Sequence, residues 1–175
     1  LAHKYNLVDV DSLEEVLTND SVDVVDVSTT NNRHFPYALS ALNHNKAVIV
    51  EKPAAFTIRE IDVLIKKSKV KAKPVLVVFQ KRYNWTFQKL FKEIKLGRLG
   101  KFLHGTTKSY YPRSPSYYAS KYKSRKQYAG GGALIYQGIH DLDLVIQLIG
   151  SVCDSSGELS NDYHQLEVED TANLC

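Results

Sequence analysis

Apolar residues in the first half of the chain follow two alternating rhythms. The runs Val22–Ser28, Ala47–Glu51 and Val75–Phe79 have the length and β-branched content of buried strands. Between them the spacing becomes helical. Phe35, Ala38, Leu39 and Leu42 fall at i, i+3, i+4 and i+7, and Ile58, Ile61, Leu64 and Ile65 carry a further helix. Ser12-Leu13-Glu14-Glu15 and Thr57-Ile58-Arg59-Glu60 have capping-box spacing, the first opening a short helix through Leu17. For the helix around Phe35, Asn31 or Asn32 is the expected cap, Pro36 falls in the first turn and Asn45 supplies the stop. The order β-α-β-α-β with short connections predicts parallel strands and right-handed crossovers. The strand ends Ser28-Thr29-Thr30, Glu51-Lys52-Pro53 and Gln80-Lys81-Arg82 then share one sheet edge, where open α/β sheets bind ligands.

The rhythm changes after Lys81, where we place a domain boundary, giving residues 1–81 and 82–175. Phe87, Leu90, Phe91 and Ile94 form a helical stripe closed by Gly97. Phe102–Tyr111 has strand character. Tyr110–Tyr128, rich in Tyr, Ser and Lys, is predicted to be a long loop. Gly130-Gly131-Gly132 then opens a helix whose buried stripe is expected to be Ile135, Ile139, Leu142, Ile146 and Ile149, with Gly150 ending it. Tyr136, His140 and Asp143 form a polar row on a flanking face. The tail from Cys153 is polar and weakly patterned.

Composition narrows the class. Hydrophobic residues make up 43% of the 175 and charged residues 24%, as in soluble globular domains. No apolar run nears the roughly 20 residues of a membrane span, so no membrane partner is expected. The net charge is +4, with basic clusters only at Lys66–Lys73 and Lys121–Lys126. Without a base-reading motif, nucleic acid is not an expected partner. Cys153 and Cys175 lack metal-ligand spacing and fit free thiols in a reducing, cytoplasmic setting. The chain has no methionine and begins at Leu1, so its natural start is expected to lie upstream.

Three groups offer chemistry. Glu51-Lys52-Pro53 puts an acid and a base at a strand's carboxyl end, and Pro53 holds Lys52 extended. His140 is either a proton shuttle or a histidine bonded to a carboxylate for structure. The other histidines form no ligand pattern with it, so no metal is expected. The glycine triplet either holds an anion at the helix start or permits close packing, and it is not a G-x-G-x-x-G turn.

The chain resembles the Gfo/Idh/MocA family of glucose–fructose oxidoreductase and inositol dehydrogenase. Val24–His34 is similar to its strand followed by T-P-N-x-x-H. Asn45-Lys46-Ala47-Val48-Ile49-Val50-Glu51-Lys52-Pro53 looks like G-K-H-V-L-V-E-K-P. Val78–Tyr83 resembles the entry to the second domain. Gly130–Leu144 resembles G-G-G-x-L-x-x-x-G-x-H-x-x-D-L, and Val168–Ala172 resembles V-E-D-T-A. The five segments occur in the family's order.

The resemblance implies an internal fragment of a longer enzyme, with an incomplete Rossmann-type doubly wound parallel sheet through residue 81. Residues 82–175 would begin an α+β substrate and oligomerisation domain with a mainly antiparallel sheet. The implied activity is hydride transfer between NAD or NADP and a hydroxyl-bearing carbon of a sugar, cyclitol or sugar nucleotide. The full-length enzyme would be a cytoplasmic homo-oligomer, and the chain alone inactive. Alternatives on the same fold are an NAD(P)-binding ligand-sensing regulator and an NAD-assisted glycoside hydrolase. Carried over by position, Lys52, His140 and Tyr136 would be catalytic. Ser28, Thr29, Asn31, His34, Glu51, Lys52, Pro53, Gln80 and Arg82 would line the cofactor. Tyr117, Tyr118, Arg125 and, in the same loop, Lys121 would join Lys52, Tyr136 and His140 around the substrate, unless the loop is merely solvated. Asp143 would be structural. Many members carry Asp or Asn where Tyr136 stands, implying another substrate, a Lys–Tyr proton relay, or lost catalysis.

Overall fold

The computed structural model describes residues 2–175, with side chains from residue 4. It forms two compact units. One comprises residues up to Thr29 together with Arg33–Val78, the other Thr30–Asn32 and Phe79–Cys175.

The first unit holds helices α1 (Ala2–Tyr5) and α2 (Leu13–Thr18), strand β1 (Val24–Val27), helix α3 (Asn31–Asn43) from Arg33 on, strand β2 (Ala47–Glu51), helix α4 (Ile58–Lys71) and strand β3 (Val75–Val78). The strands pair in parallel in the order β1-β2-β3, with Val25 opposite Val48 and Val50 opposite Val77. Alternation puts Val25, Val27, Val48 and Val50 on one sheet face, where they bury with Leu17, Ala38, Leu42 and Leu64 from the helices. The other face is more open, leaving Val24 and Leu76 about half exposed. The predicted strands are therefore right in place and direction. β2 has the predicted bounds, β1 and β3 are trimmed at the ends, and the sheet is buried mainly on one side.

Local rules account for most boundaries. Thr57 and Glu60 form the full reciprocal capping box of α4, and Ala72 ends it in the left-handed region. Ser12 accepts from the Glu15 N–H at the start of α2. Asn45 turns the chain out of α3 with φ of 57°. The start of α3 corrects one expectation. Asn31 and Asn32 lie inside the helix, so neither precedes it as a cap, and Pro36 falls in the second turn.

In the second unit, a 3₁₀ turn over Gln80–Tyr83 leads into α5 (Trp85–Lys95), capped by Asn84 and terminated at Leu96-Gly97. Phe102–Tyr111 is not a strand. Its alternating residues find no pairing partner for the backbone among the described residues, and a strand cannot stand without one. The expected long loop contains three short helical pieces instead: a 3₁₀ turn Pro115–Ala119, α6 (Lys121–Ser124) and α7 (Lys126–Ala129). After the glycines comes a π-helical turn, Leu134–Gly138, and then α8 (Ile139–Ile149), ended by Gly150. The tail forms an antiparallel hairpin of β4 (Gly157–Ser160) and β5 (Thr171–Leu174). The residues of β4 carry no strong alternation that would predict a strand.

The orientation of α8 reverses the expected pattern. His140 and Asp143 are its buried residues, whereas Ile146 and Ile149 are 44% and 43% exposed. The π-helical turn shifts the register between Ile135 and Ile139. In addition, the acidic residues of α8 have cationic partners that compensate their burial.

Candidate functional site

In the first unit, the carboxyl ends of β1 and β2 are tied together by His34, which is 1% exposed. Its Nδ1 lies 2.7 Å from the Pro53 carbonyl and its Nε2 lies 3.1 Å from the Thr29 carbonyl. A neutral ring has one N–H, so His34 donates to one of these carbonyls and packs its other nitrogen against the second, lying between the two strand-end loops. Pro53 follows a cis peptide bond. Glu51 closes β2, and its carboxylate accepts from the Lys52 N–H at 3.2 Å. Burial lowers the pKa of the Lys52 amine, and the Glu51 charge raises it by a smaller amount. Ser28 is exposed and donates its hydroxyl to Asp26 at 2.7 Å. This edge thus carries a half-buried cation and a carboxylate side by side, held from behind by a histidine.

In the second unit, the turn after β3 docks on α8 residue by residue. The Phe79 ring meets His140 edge-on at 6.2 Å between centroids and lies under the Arg82 guanidinium at 5.0 Å. The Lys81 amine donates to Asp141 at 2.6 Å and to the Tyr111 hydroxyl at 2.9 Å. Arg82 reaches Asp143 with two nitrogens, in the bidentate geometry that suits a carboxylate. His140 is 5% exposed. Burial raises the Asp141 pKa, but hydrogen bonds from Lys81 and Ser109 outweigh it and leave it lowered. The 3₁₀ turn thus carries Lys81 and Arg82 onto the helix that carries His140. Gln80 belongs to the same turn.

The Arg82–Asp143 pair makes an asymmetric prediction. Asp143 is 9% exposed and Arg82 39%. Removing Arg82 strands a buried carboxylate, whereas removing Asp143 frees a guanidinium that water can reach. Arg82→Ala is expected to destabilise the protein by about 3 kcal/mol, and Asp143→Ala by roughly half as much. Urea unfolding of the two variants checks the order. The opposite order would discard this account.

The glycine triplet serves both roles left open by the sequence. The Glu169 carboxylate accepts from the Gly132 N–H at 2.8 Å and the Leu134 N–H at 3.1 Å, so the anion at this helix start is the chain's own. The Glu169 carbonyl accepts from the Ala133 N–H at 2.8 Å. A Cβ on Gly132 would fall 1.7 Å from that carbonyl oxygen. Nothing in the spacing indicates this contact across 37 residues, although Glu169 lies within the family-like segment Val168–Ala172. Asn31 donates to the Ala129 carbonyl at 2.9 Å.

Tyr136 donates its hydroxyl to the Tyr122 carbonyl at 2.6 Å. Burial, with smaller contributions from Tyr117 and Tyr118, pushes its pKa up to about 12. Near neutrality it is a hydrogen-bond donor and not a phenolate. Tyr117 and Tyr118 pack edge-on at 5.0 Å, and Tyr118 lies against His164. Lys121 sits over the Tyr122 and Tyr128 rings, and Arg125 is exposed. Among the described residues no cluster of His, Cys, Asp and Glu is arranged to hold a metal ion. No helix among them is long and apolar enough to cross a membrane.

A parallel sheet in the order β1-β2-β3 with helices between its strands is a Rossmann-type arrangement, and its middle strand ends at Glu51. Residues 1–79 match the oxidoreductase family with an NAD-binding Rossmann fold, and residues 87–175 match the GFO/IDH/MocA C-terminal domain. The chain belongs to the Gfo/Idh/MocA family. It is 31% identical to the uncharacterized oxidoreductase YhhX of Escherichia coli, over 79% of this chain and 38% of that protein. It is 27% identical to myo-inositol 2-dehydrogenase of Thermotoga maritima, over 78% of this chain and 39% of that protein. Among solved structures, the WlbA dehydrogenase of Chromobacterium violaceum, in complex with NADH and UDP-GlcNAcA, matches with a TM-score of 0.87 at 25% identity. That match covers 99% of this chain and 50% of the other. The chain thus spans about two-fifths of these curated relatives and half of that solved structure.

Proposed function

We propose that this chain is part of an NAD(P)-dependent dehydrogenase that oxidises a CH–OH carbon of a sugar, cyclitol or sugar nucleotide. Residues 1–81 would be the C-terminal part of its cofactor domain and residues 82–175 the start of its substrate domain. The full enzyme is proposed to be a cytoplasmic homo-oligomer. The observation that carries the reading is Lys52, a half-buried amine of lowered pKa beside Glu51 at the carboxyl edge of a parallel sheet. The kinship with sugar dehydrogenases supports the substrate class.

The donor set at this edge suits a dinucleotide. Glu51 offers a carboxylate to ribose hydroxyls, and the exposed Ser28 and Thr29 offer a polar strand end. His34 and Pro53 would support that edge, and Asn31, Gln80 and Arg82 are proposed as further cofactor-binding residues by the family resemblance. His34 would act from behind, through Thr29 and Pro53. The bound nicotinamide supplies the hydride acceptor. Lys52 takes the proton from the substrate hydroxyl, which its lowered pKa favours because the neutral amine then forms at a lower pH than for free lysine. His140 is proposed as the second proton-carrying group. Tyr136 donates a hydrogen bond. Tyr117, Tyr118, Lys121 and Arg125 are proposed to face the substrate.

One observation favours a second reading, a cofactor-binding regulator without turnover. Tyr136 gives its hydroxyl to a main-chain carbonyl and stays protonated well above neutrality. The test uses the protein from the complete open reading frame. NADH and NADPH are titrated by fluorescence, and sugars, cyclitols and sugar nucleotides are then screened for absorbance change at 340 nm. Binding with turnover is the expected result. Binding with no turnover would replace the dehydrogenase by the regulator.

A further inference from the structure

Between Glu93 and Asp141 the chain carries nine lysines and arginines and not one aspartate or glutamate. The balance of the whole chain, 23 basic against 19 acidic residues, hides this segregation. Folding does not repair it. The ion pairs among the described residues join Lys81, Arg82, Arg98 and His44 to carboxylates, and none reaches Arg113, Lys121 or Lys123. These three are instead gathered on tyrosine rings. The Lys123 amine sits 3.7 Å from the Tyr117 ring centroid, and the Arg113 guanidinium sits 4.7 Å from the same centroid. Lys121 lies 5.3 Å from the Tyr128 ring.

The acidic groups close to this cluster are already committed. Glu169 and Asp170 both act electrostatically on Tyr118. Yet Glu169 receives the N–H groups of Gly132 and Leu134, and Asp170 receives those of Asp162, Tyr163 and His164. Glu167, the other acidic residue beside the loop, accepts from the Lys126 N–H at 3.2 Å, and among the described residues no carboxylate forms an ion pair with Arg113, Lys121 or Lys123. They also lie next to the candidate catalytic helix, because Tyr117 and Tyr118 both act on the Tyr136 hydroxyl. Two cations gathered on one aromatic ring without a carboxylate paired to them keep their charge available to an anion.

We propose that Arg113 and Lys123, held on Tyr117, bind the anionic part of the substrate, so that the enzyme acts on a sugar bearing a phosphate, diphosphate or carboxylate in preference to a neutral polyol. This deepens the dehydrogenase reading and rests on it for the placement of the reacting carbon. The anion itself takes no part in the redox step.

The test compares matched substrates at constant ionic strength with the protein from the complete reading frame: glucose against glucose 6-phosphate, glucose against UDP-glucose, and glucose against glucuronate. The expected kcat/KM is at least about tenfold higher for one or more anionic members, through KM, equivalent to about 1.4 kcal/mol. The phosphate and carboxylate arms identify which anion is meant. The double variant Arg113→Gln/Lys123→Gln should cut that preference about tenfold. Turnover favouring glucose in every pair, or a preference that survives in the double variant, overturns the proposal. If nothing turns over, inorganic pyrophosphate and glucuronate are titrated calorimetrically into the NADH-loaded protein. Binding lost in the double variant supports the anion receptor even where the dehydrogenase reading fails, and absence of binding overturns it. Failure to bind NADH sinks the dehydrogenase reading alone, and the same titration of the unloaded protein then decides for or against the receptor.

Discussion

Lys52→Ala, made in the enzyme from the complete reading frame, is expected to lower kcat by about 10²- to 10⁴-fold, the usual contribution of a positioned proton-transfer group. Folding should be little affected, because the Lys52 side chain is only half-buried and water can reach the space its truncation leaves. Lys52→Arg separates proton transfer from charge. A guanidinium keeps the cation but does not deprotonate near neutrality, so this variant should be nearly as inactive as the alanine. The pH profile carries a sign that can be worked out. Burial lowers the Lys52 pKa below its ordinary 10.5, so the neutral amine forms at lower pH than for free lysine. In the direction of alcohol oxidation, kcat/KM should rise with pH through this lowered value. Glu51 raises the pKa, so Glu51→Gln should move the rising limb further toward acid. A Lys52→Ala enzyme that turns over like the wild type would remove Lys52 from the chemistry.

The parts legible from the sequence are those governed by local or repeating physics. Parallel strands alternating with capped helices follow from period and caps, so β1 to β3 and α4 stand where the pattern puts them. The parts that are not legible depend on partners distant in sequence. Phe102–Tyr111 has the composition of a strand, but pairing decides whether a strand exists. Ile146 and Ile149 match a buried stripe, yet Lys81 and Arg82, some 60 residues earlier, supply the ion pairs that turn Asp141 and Asp143 inward. A histidine spaced four residues from a tyrosine can be noticed from the sequence. That Phe79 packs its ring against that histidine depends on how the turn after β3 closes onto α8. His34 teaches a related lesson. Its position in the motif marks it as important, but only the fold reveals that its two nitrogens engage the Thr29 and Pro53 carbonyls.

Gly132→Ala is expected to be strongly destabilising. The new Cβ would meet the Glu169 carbonyl oxygen at 1.7 Å, and the neighbouring atoms are backbone, which cannot rotate aside. Relief requires the helix start and the Glu169 segment to separate. That separation breaks the N–H bonds of Gly132, Ala133 and Leu134 to Glu169 together. Overpacking of about 1–3 kcal/mol adds to the lost anion contact at the helix start, so about 3 kcal/mol or more is expected. Gly97→Ala is the comparison that isolates the cause. Gly97 has φ of +71° and no atom within 4 Å of the place its methyl would take, so only backbone strain of about 1 kcal/mol applies. Urea midpoints of the two variants should therefore differ clearly, with Gly132→Ala the lower. If Gly132→Ala matches the wild type, the close approach of Glu169 is wrong. The same variant should also lose turnover beyond its stability loss, because this contact anchors the start of the helical run that carries Tyr136 and His140.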